Sequence, residues 1–230
     1  ALDTDLARPK FAIMNPEITY TLPDYQTQCG CADIMMHTME RYFVLEDTME
    51  ITDKIAQDVM KNVMKYAKIL KKDPENYEAR AEIMWCGSLS HNGLTGCGTC
   101  GGDWATHLIE HELGGMFDVA HGAGLAAVWG SWARYVMDEK PERFAQFAVD
   151  VMGVEESDDV KSTALKGIEA VEEFYRMIEM PTNMKELGIN PTDEQIKDMA
   201  MKATNHDTQQ LGAFKKLSAK DLVEIYKTAK

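Results

Sequence analysis

Two short stretches of the chain place carboxylate and imidazole side chains at spacings that suit a metal site. Asp33 and His37 are four residues apart, so on a helix both side chains would lie on one face and could bind a single ion. His107 lies in a second helical pattern, and His121 follows beyond a Gly-Gly pair. Three imidazoles and one carboxylate favour a divalent metal such as Fe(II) or Zn(II) over Ca(II) or Mg(II). We therefore predict one metal site built from these residues.

The second stretch also contains a pattern known from zinc peptidases. His107-Leu108-Ile109-Glu110-His111 matches the H-x-x-E-H signature, in which both histidines bind zinc and the glutamate is the general base. Such short matches are common by chance, and the structural alternative is a solvated Glu110 between two inward-facing histidines. A lone core histidine is usually structural too, but four of the six histidines fall in these two stretches, which favours metal binding. The residues alone leave open a zinc peptidase and a non-catalytic helical module with a structural metal.

A glycine-rich segment lies between the two stretches. Residues 96–101 read GCGTCG and match the G-x-G-x-x-G pattern, whose glycines let the backbone approach a dinucleotide pyrophosphate. That fingerprint requires a hydrophobic strand before it, whereas residues 82–90 have a helical pattern. Cys97 and Cys100 could form a redox or zinc pair, but no second pair with zinc-ribbon spacing accompanies them. We expect a tight loop of small residues here.

The composition is that of an ordinary globular protein, and its charge argues against two classes of partner. The chain has 230 residues, of which 45% are hydrophobic and 27% are charged. Its net charge of −14 argues against nucleic acid and anionic membranes, and no apolar run approaches the ~20 residues of a membrane helix. Five cysteines, an odd number, favour a reducing cytoplasm over a disulfide scaffold. The chain begins with Ala1 rather than Met and shows no signal-peptide pattern, so we expect it to start inside a longer protein.

The elements that must position these residues are almost entirely helical. Residues 1–23 have an extended pattern, with strand-like runs at Lys10–Met14 and Thr19–Pro23. Apolar periodicity and capping residues then predict helices at 32–46, from 52 onward, at 73–90, 103–113, 120–137, 141–153, 157–180 and 192–204, and from 218 to the end. Nothing resembles alternating strand–helix units. The predicted fold class is all-α, preceded by a short extended segment.

Longer motifs around the candidate ligands resemble a known enzyme family. Residues 103–115 (DWATHLIEHELGG) and 117–126 (FDVAHGAGLA) resemble the iron-dependent (group III) alcohol dehydrogenases, and most of all their butanol dehydrogenase-like branch. Residues 15–40 resemble the entry to that family's helical domain, and the resemblance extends over the whole chain. It implies a multi-helix C-terminal domain of the iron-dependent alcohol dehydrogenase (dehydroquinate synthase-like) fold. Residues 1–23 would then be an extended lead-in, and residues 24–230 the helical metal-binding catalytic domain.

The resemblance also implies an activity and roles for individual residues. The activity is the NAD(P)-dependent interconversion of primary alcohols and aldehydes by hydride transfer at Fe(II) or Zn(II), which disfavours the peptidase. The implied roles are metal ligation by Asp33, His37, His107 and His121, substrate contact or proton relay by His111, and contact with the cofactor by Thr21, Leu22 and Pro23.

Members of that family begin with a nucleotide-binding α/β domain, on the order of 150 residues long. This chain has no counterpart of that domain, so we expect it to be inactive alone and to need the domain as a partner for binding NAD(H) or NADP(H). The face that meets such a domain is expected to be apolar, which favours a homo-oligomer. The expected location is cytoplasmic.

Overall fold

The computed structural model describes residues 6, 9–46 and 50–230 of the chain. The helices in these ranges are α1 (Asp24–Tyr42), α2 (Glu50–Leu70), α3 (Tyr77–His91), α4 (Ala105–Phe117), α5 (His121–Val136), α6 (Pro141–Asp150), α7 (Val160–Met177), α8 (Asp193–Ala203) and α9 (Ala219–Ala229). Single 3-10 turns lie at Pro16–Thr19, Leu94–Gly96 and Met137–Glu139. The described part of the chain has no strand beyond one isolated bridge, Leu211 to Leu217, so the all-α prediction is confirmed.

The two strand-like runs near the N-terminus are a wrong prediction. Lys10–Met14 has no regular structure, and Thr19–Pro23 begins inside the 3-10 turn. The Asn15 side chain accepts a hydrogen bond from the Glu17 N–H at 3.1 Å, and Pro16 fixes the first φ of the turn. A strand also needs a neighbouring strand to pair with, and none exists among the described residues.

Several predicted helix boundaries move when tertiary packing is included. α1 begins directly after Pro23, well before residue 32, because the polar and small residues of its first turns hide the apolar period. α3 is capped by Asn76, whose side chain accepts the Ala79 N–H, rather than by Asp73. α4 continues through the Gly-Gly pair to Phe117 and ends at Asp118, which adopts the left-handed conformation.

The capping predictions for the last two helices are confirmed. The box of Thr192 and Gln195 opens α8, and Ser218 with Asp221 opens α9. Partial burial raises the pKa of Asp221, but hydrogen bonds from Ser218 and Tyr135 lower it, and the net value lies below the ordinary one. The carboxylate of Asp221 is therefore a stabilising part of the α9 N-terminus.

α1 and α5 cross at the centre of the domain, and their contact fixes the start of α5. Most of the α5 residues are buried, and Phe43 stacks on Phe144 nearby at 4.3 Å between ring centroids. Gly122 lies against the backbone of Cys29, so that a Cβ at Gly122 would overlap the Cys29 carbonyl. Only glycine permits this approach, which brings the preceding residue, His121, beside α1. No helix in the described ranges is both long and apolar enough to cross a membrane.

Candidate metal centre

The four predicted ligands come from three helices and meet around one carboxylate. Asp33 and His37 project from α1, His107 lies in the first turn of α4, and His121 is the first residue of α5. The Oδ1 atom of Asp33 is 3.6 Å from His37 Nε2, 3.5 Å from His107 Nε2 and 3.5 Å from His121 Nε2. A tetrahedral site with metal–ligand bonds of about 2.1 Å has ligand atoms about 3.4 Å apart. The separations around Asp33 thus match those between ligands of one metal.

Among the described residues there are three groups of three close donor atoms; two of them contain Asp33, and the third consists of Glu110, His111 and His121. Asp33, His107 and His121 have donor atoms within 4.8 Å of one another, and so do Asp33, His37 and His91. Asp33 belongs to both groups. The Asp33 carboxylate is therefore the centre of the cluster, and a histidine absent from the predicted set, His91, lies beside it.

Glu40 fixes the orientation of His107. This buried carboxylate accepts the His107 backbone N–H at 3.2 Å and lies 2.7 Å from His107 Nδ1. Because a carboxylate only accepts, the neutral imidazole carries its hydrogen on Nδ1 and directs its Nε2 lone pair at Asp33. Burial alone would lower the pKa of His107, but the Asp33 and Glu40 carboxylates raise it to about 9. The imidazole of His107 lies between two carboxylates that favour its protonated form, and a bound metal would take the place of the second proton on the ring.

Glu110 holds His121 in the same way. Its buried carboxylate is hydrogen-bonded to His121 Nδ1, and this bond raises the pKa of His121. Glu110 is thus buried, contrary to the solvated alternative considered for the H-x-x-E-H motif. The general-base role required in a zinc peptidase has no support, because that carboxylate faces the far side of a candidate ligand. A carboxylate–histidine pair of this type orients metal ligands.

Several buried polar atoms lack a hydrogen-bond partner, and two of them face each other. Asp33 Oδ1 and His107 Nε2 are both buried without a partner. In neutral His107 the hydrogen is on Nδ1 and the Nε2 lone pair meets an oxygen that only accepts, so positive charge between the two atoms, either the ring's second proton or a bound cation, is needed to match them at 3.5 Å. Buried polar groups left unmatched in this way cost free energy. The residues present therefore fit a divalent cation.

The charge states of Asp33 and His37 also suit a metal. Burial raises the pKa of Asp33, but the imidazoles of His107 and His91 lower it, and the net pKa lies well below its ordinary range. Burial lowers the pKa of His37 to about 3 despite the nearby carboxylate. Near neutral pH Asp33 is an anion and His37 is a neutral donor, which are the forms that bind a metal.

His111 lies at the edge of the cluster. Its ring centroid is 5.5 Å from that of His121 and 6.3 Å from that of His107, and the side chain is exposed. Partial burial lowers the pKa of His111, so its imidazole is neutral near pH 7. The predicted role of His111 beside a substrate stays a prediction.

The structure does not bring Thr21, Leu22 and Pro23 to the metal residues. Pro23 precedes Asp33 by ten residues, which is about 15 Å along the axis of α1. Their predicted contact with a cofactor stays a prediction. Any such contact would involve a part of the cofactor away from the metal.

The glycine-rich segment is a loop between α3 and α4, as expected. Helix α3 precedes it rather than a strand, so it lacks the context of a dinucleotide fingerprint. Cys97 and Cys100 are free thiols. The loop ends at Trp104, a left-handed residue whose ring lies 5.3 Å from both His37 and His107 and whose Nε1 donates to Gly101 O at 2.9 Å. The loop therefore positions a ring that covers two candidate ligands.

Sequence reasoning missed Glu40, Glu110 and His91 as parts of the site. Glu40 follows His37 by three residues and could have been found from the helical period of α1, which places both on one face. Glu110 is part of the H-x-x-E-H motif, but the motif does not show that its hydrogen-bond partner is His121. His91 gave no signal, because its place depends on how α3 crosses α1.

Comparisons with known proteins identify the family of this chain. The model of the Fe-containing alcohol dehydrogenase family, C-terminal, matches residues 27–230. NADH-dependent butanol dehydrogenase A of Clostridium acetobutylicum is 34% identical over 224 residues, covering 97% of this chain and 57% of that protein. NADPH-dependent aldehyde reductase YqhD of Escherichia coli is 32% identical over 224 residues, with shares of 97% and 57%.

A solved structure gives the same result at the level of the fold. NADH-dependent butanol dehydrogenase A of Thermotoga maritima superposes with a TM-score of 0.91 at 34% identity, covering 99% of this chain and 58% of that one. The chain thus spans little more than half the length of the relatives it matches. The resemblance and fold predicted from the sequence are confirmed, and the chain belongs to the Fe-containing alcohol dehydrogenase family.

Proposed function

We propose that this chain is the metal-binding catalytic domain of an NAD(P)-dependent alcohol dehydrogenase that interconverts primary alcohols and aldehydes. One observation supports this above the others. Three imidazole nitrogens lie at 3.5–3.6 Å from one buried carboxylate oxygen that has no hydrogen-bond partner. We place the metal at this cluster, where it would meet the oxygen of the substrate.

The proposed ligands are Asp33, His37, His107 and His121. A bound divalent metal would supply Lewis-acid polarisation of the alcohol oxygen and stabilise negative charge there. One carboxylate and three neutral imidazoles leave a divalent ion with a net positive charge, which suits that task. Nitrogen donors with a single carboxylate suit Fe(II) and Zn(II); we propose Fe(II), with Zn(II) as the alternative.

The other residues of the chain would hold and move groups around this centre. Glu40 and Glu110 keep the rings of His107 and His121 in the tautomer that directs Nε2 at the metal. His111 is neutral and exposed at the edge of the cluster, so its imidazole could accept the hydroxyl proton and pass it to solvent. The role of His111 is thus proton relay or substrate contact.

We place the nicotinamide cofactor, NAD(H) or NADP(H), mainly on a nucleotide-binding domain outside these 230 residues. The domain boundary proposed here is residue 23, with residues 1–23 as the lead-in and 24–230 as the helical domain. Phe11, Ile13 and Ile18 are 79%, 84% and 72% exposed, which supports a contact of this segment with further protein. Thr21, Leu22 and Pro23, about 15 Å from Asp33 along α1, would then meet the dinucleotide away from its reacting carbon.

Two further parts of the proposal concern assembly and location. Large exposed apolar side chains, among them Trp85 at 52%, support association with another domain or another copy, and we propose a homo-oligomer. All five cysteines are free thiols, which supports a cytoplasmic location.

The proposal is tested with two proteins. The first is the 230-residue chain, supplied with Fe(II) or Zn(II), NAD(H) or NADP(H) and butanol or butanal. The second is a chimera in which the N-terminal part of the Thermotoga maritima butanol dehydrogenase precedes residues 24–230. We expect no turnover from the chain alone and metal-dependent turnover from the chimera, followed by the absorbance of the reduced nicotinamide.

His107→Ala serves as the control in both proteins, because it removes a proposed ligand without touching the nucleotide-binding part. Turnover by the chimera should be lost in that variant. Robust turnover by the chain alone that disappears in His107→Ala would show that the chain is not an incomplete enzyme. A folded, metal-loaded chimera that binds the cofactor but oxidises no primary alcohol would refute the proposed activity.

A further inference from the structure

A fifth histidine, His91, lies beside Asp33 and comes from α3, a helix that supplies none of the four predicted ligands. It is the last residue of α3, and its ring centroid is 3.8 Å from that of His37 with an angle of 32° between the rings. Arg41 holds the end of α3 against α1, since its Nη1 donates to Ser90 O at 2.6 Å and to His37 O at 3.0 Å. The position of His91 beside His37 is therefore fixed by a side chain that contacts both helices.

The hydrogen bonds of His91 leave its Nε2 free to bind a metal. Its Nδ1 lies 2.9 Å from Gly87 O and 2.7 Å from Ser90 Oγ, and that hydroxyl itself donates to Gly87 O at 3.0 Å. A carbonyl oxygen only accepts, so the hydrogen of neutral His91 is on Nδ1 and the lone pair is on Nε2. This arrangement is the one that Glu40 imposes on His107, with a backbone carbonyl in place of the carboxylate.

The free nitrogen faces the second oxygen of the central carboxylate. His91 Nε2 is 3.6 Å from Asp33 Oδ2, whereas a charged hydrogen bond between imidazolium and carboxylate would be about 2.7–2.9 Å long. The separation instead matches that of the other three imidazoles from Asp33 Oδ1. His91 is thus placed as a ligand rather than as an ordinary ion-pair partner.

We propose that His91 is a fifth protein ligand of the metal, bound through Nε2, so that the site offers four imidazoles and one carboxylate. The inference rests on the metal site of the proposed function. Asp33 is shared by the two groups of close donor atoms, and His37, from the group that contains His91, faces the same Oδ1 atom of Asp33 as His107 and His121 do. The two groups therefore describe one five-donor site rather than two separate metals. Four ligands are the rule for Zn(II), but catalytic zinc sites can expand to five.

The test uses Co(II) as a spectroscopic probe in the metal-stripped 230-residue chain. The visible absorption of Co(II) differs between four-coordinate and five-coordinate sites. We expect one Co(II) per chain, a five-coordinate spectrum in the parent, and a changed spectrum in His91→Ala. We also expect affinity, measured by chelator competition, to fall by at least about tenfold, since even residues that only orient a ligand change it by about 10–100-fold.

Two further variants separate the possible outcomes. His206→Ala removes an exposed histidine outside the cluster and should leave spectrum and affinity unchanged, whereas His107→Ala should lose the metal. Loss in His107→Ala together with an unchanged His91→Ala would overturn this inference and leave the proposed function intact. Equal metal binding by all the variants would overturn both.

A second measurement covers the case in which His91→Ala does not fold. X-ray absorption of the Co(II)-loaded parent counts the imidazoles directly. Four supports His91 as a ligand, and three contradicts it.

Discussion

Glu40→Gln is the substitution that tests most directly how the fold prepares the site. The glutamate is 1% exposed and both of its oxygens are in use, Oε1 with the His107 backbone N–H and Oε2 with His107 Nδ1. Glutamine has the same shape but only one accepting oxygen. The NH2 group of the glutamine would face either the backbone N–H or the Nδ1–H of His107, and that buried donor would be left without an acceptor.

The magnitude follows from that count of donors and acceptors. An unpaired buried donor costs about 1–3 kcal/mol, so the metal-free variant should lose that much free energy of unfolding. If the ring of His107 instead moves its hydrogen to Nε2, the nitrogen that faces Asp33 can no longer bind a metal in that form. Loss of such an orienting partner weakens metal affinity by about 10–100-fold, which is about 1.4–2.7 kcal/mol.

Both quantities can be measured on the 230-residue chain. Urea unfolding of the metal-free protein gives the free energy of unfolding, and competition with a chelator for Zn(II) gives the metal affinity. Glu155→Gln, at an exposed glutamate, is the matched control and should change neither. A Glu40→Gln variant with the parent's stability and the parent's affinity would refute the reasoning that Glu40 fixes the tautomer of His107.

Three more predictions concern the candidate metal ligands and the helices around them. Asp33→Ala and His121→Ala should each lose the metal, measured as metal content after gel filtration; retention by both variants would contradict a site centred on Asp33. Gly122→Ala should destabilise the chain by about 1–3 kcal/mol in urea unfolding, because its Cβ would overlap a backbone carbonyl of α1, whereas Gly30→Ala, with open space around it, should not. Asp221→Asn should cost about 1 kcal/mol at neutral pH through loss of the α9 cap. Because the folded-state pKa of Asp221 lies below its ordinary value of 3.8, that stabilisation is present above pH 3.8 and is lost as the pH falls through the folded-state pKa. Thermal melts of parent and variant should converge in strong acid, and a difference that persists there would contradict the assignment.

The parts of the fold and site that could be predicted from the sequence are those set by neighbours along the chain. Asp33 and His37 share a face because of the helical period, and the capping boxes at Thr192 and Ser218 need only residues three apart. The strand-like run at Lys10–Met14 shows the limit of such reasoning. Its residue types favour a strand, but no described segment pairs with it, and strand formation depends on that pairing.

The rest depends on how helices cross. His121 reaches Asp33 because Gly122 lets α5 approach the backbone of α1, and no local pattern announces that contact. His91 reaches the same carboxylate because Arg41 fastens the end of α3 to α1. Sequence reasoning could name candidate ligands by chemistry, but the pairing of Glu40 with His107 and of Glu110 with His121 depends on the packing of the helices.

The cluster of ionisable side chains around Asp33 has a consequence for how this protein distributes its stability. The fold holds one carboxylate oxygen and the Nε2 atoms of three imidazoles at separations longer than ordinary hydrogen bonds. Such a buried polar cluster stabilises the fold less than well-packed apolar side chains would, whereas an ion that binds only the folded chain adds stability. Replacing the centre by apolar residues would be expected to give a more robust domain with no function, which is the trade-off common to preorganised sites.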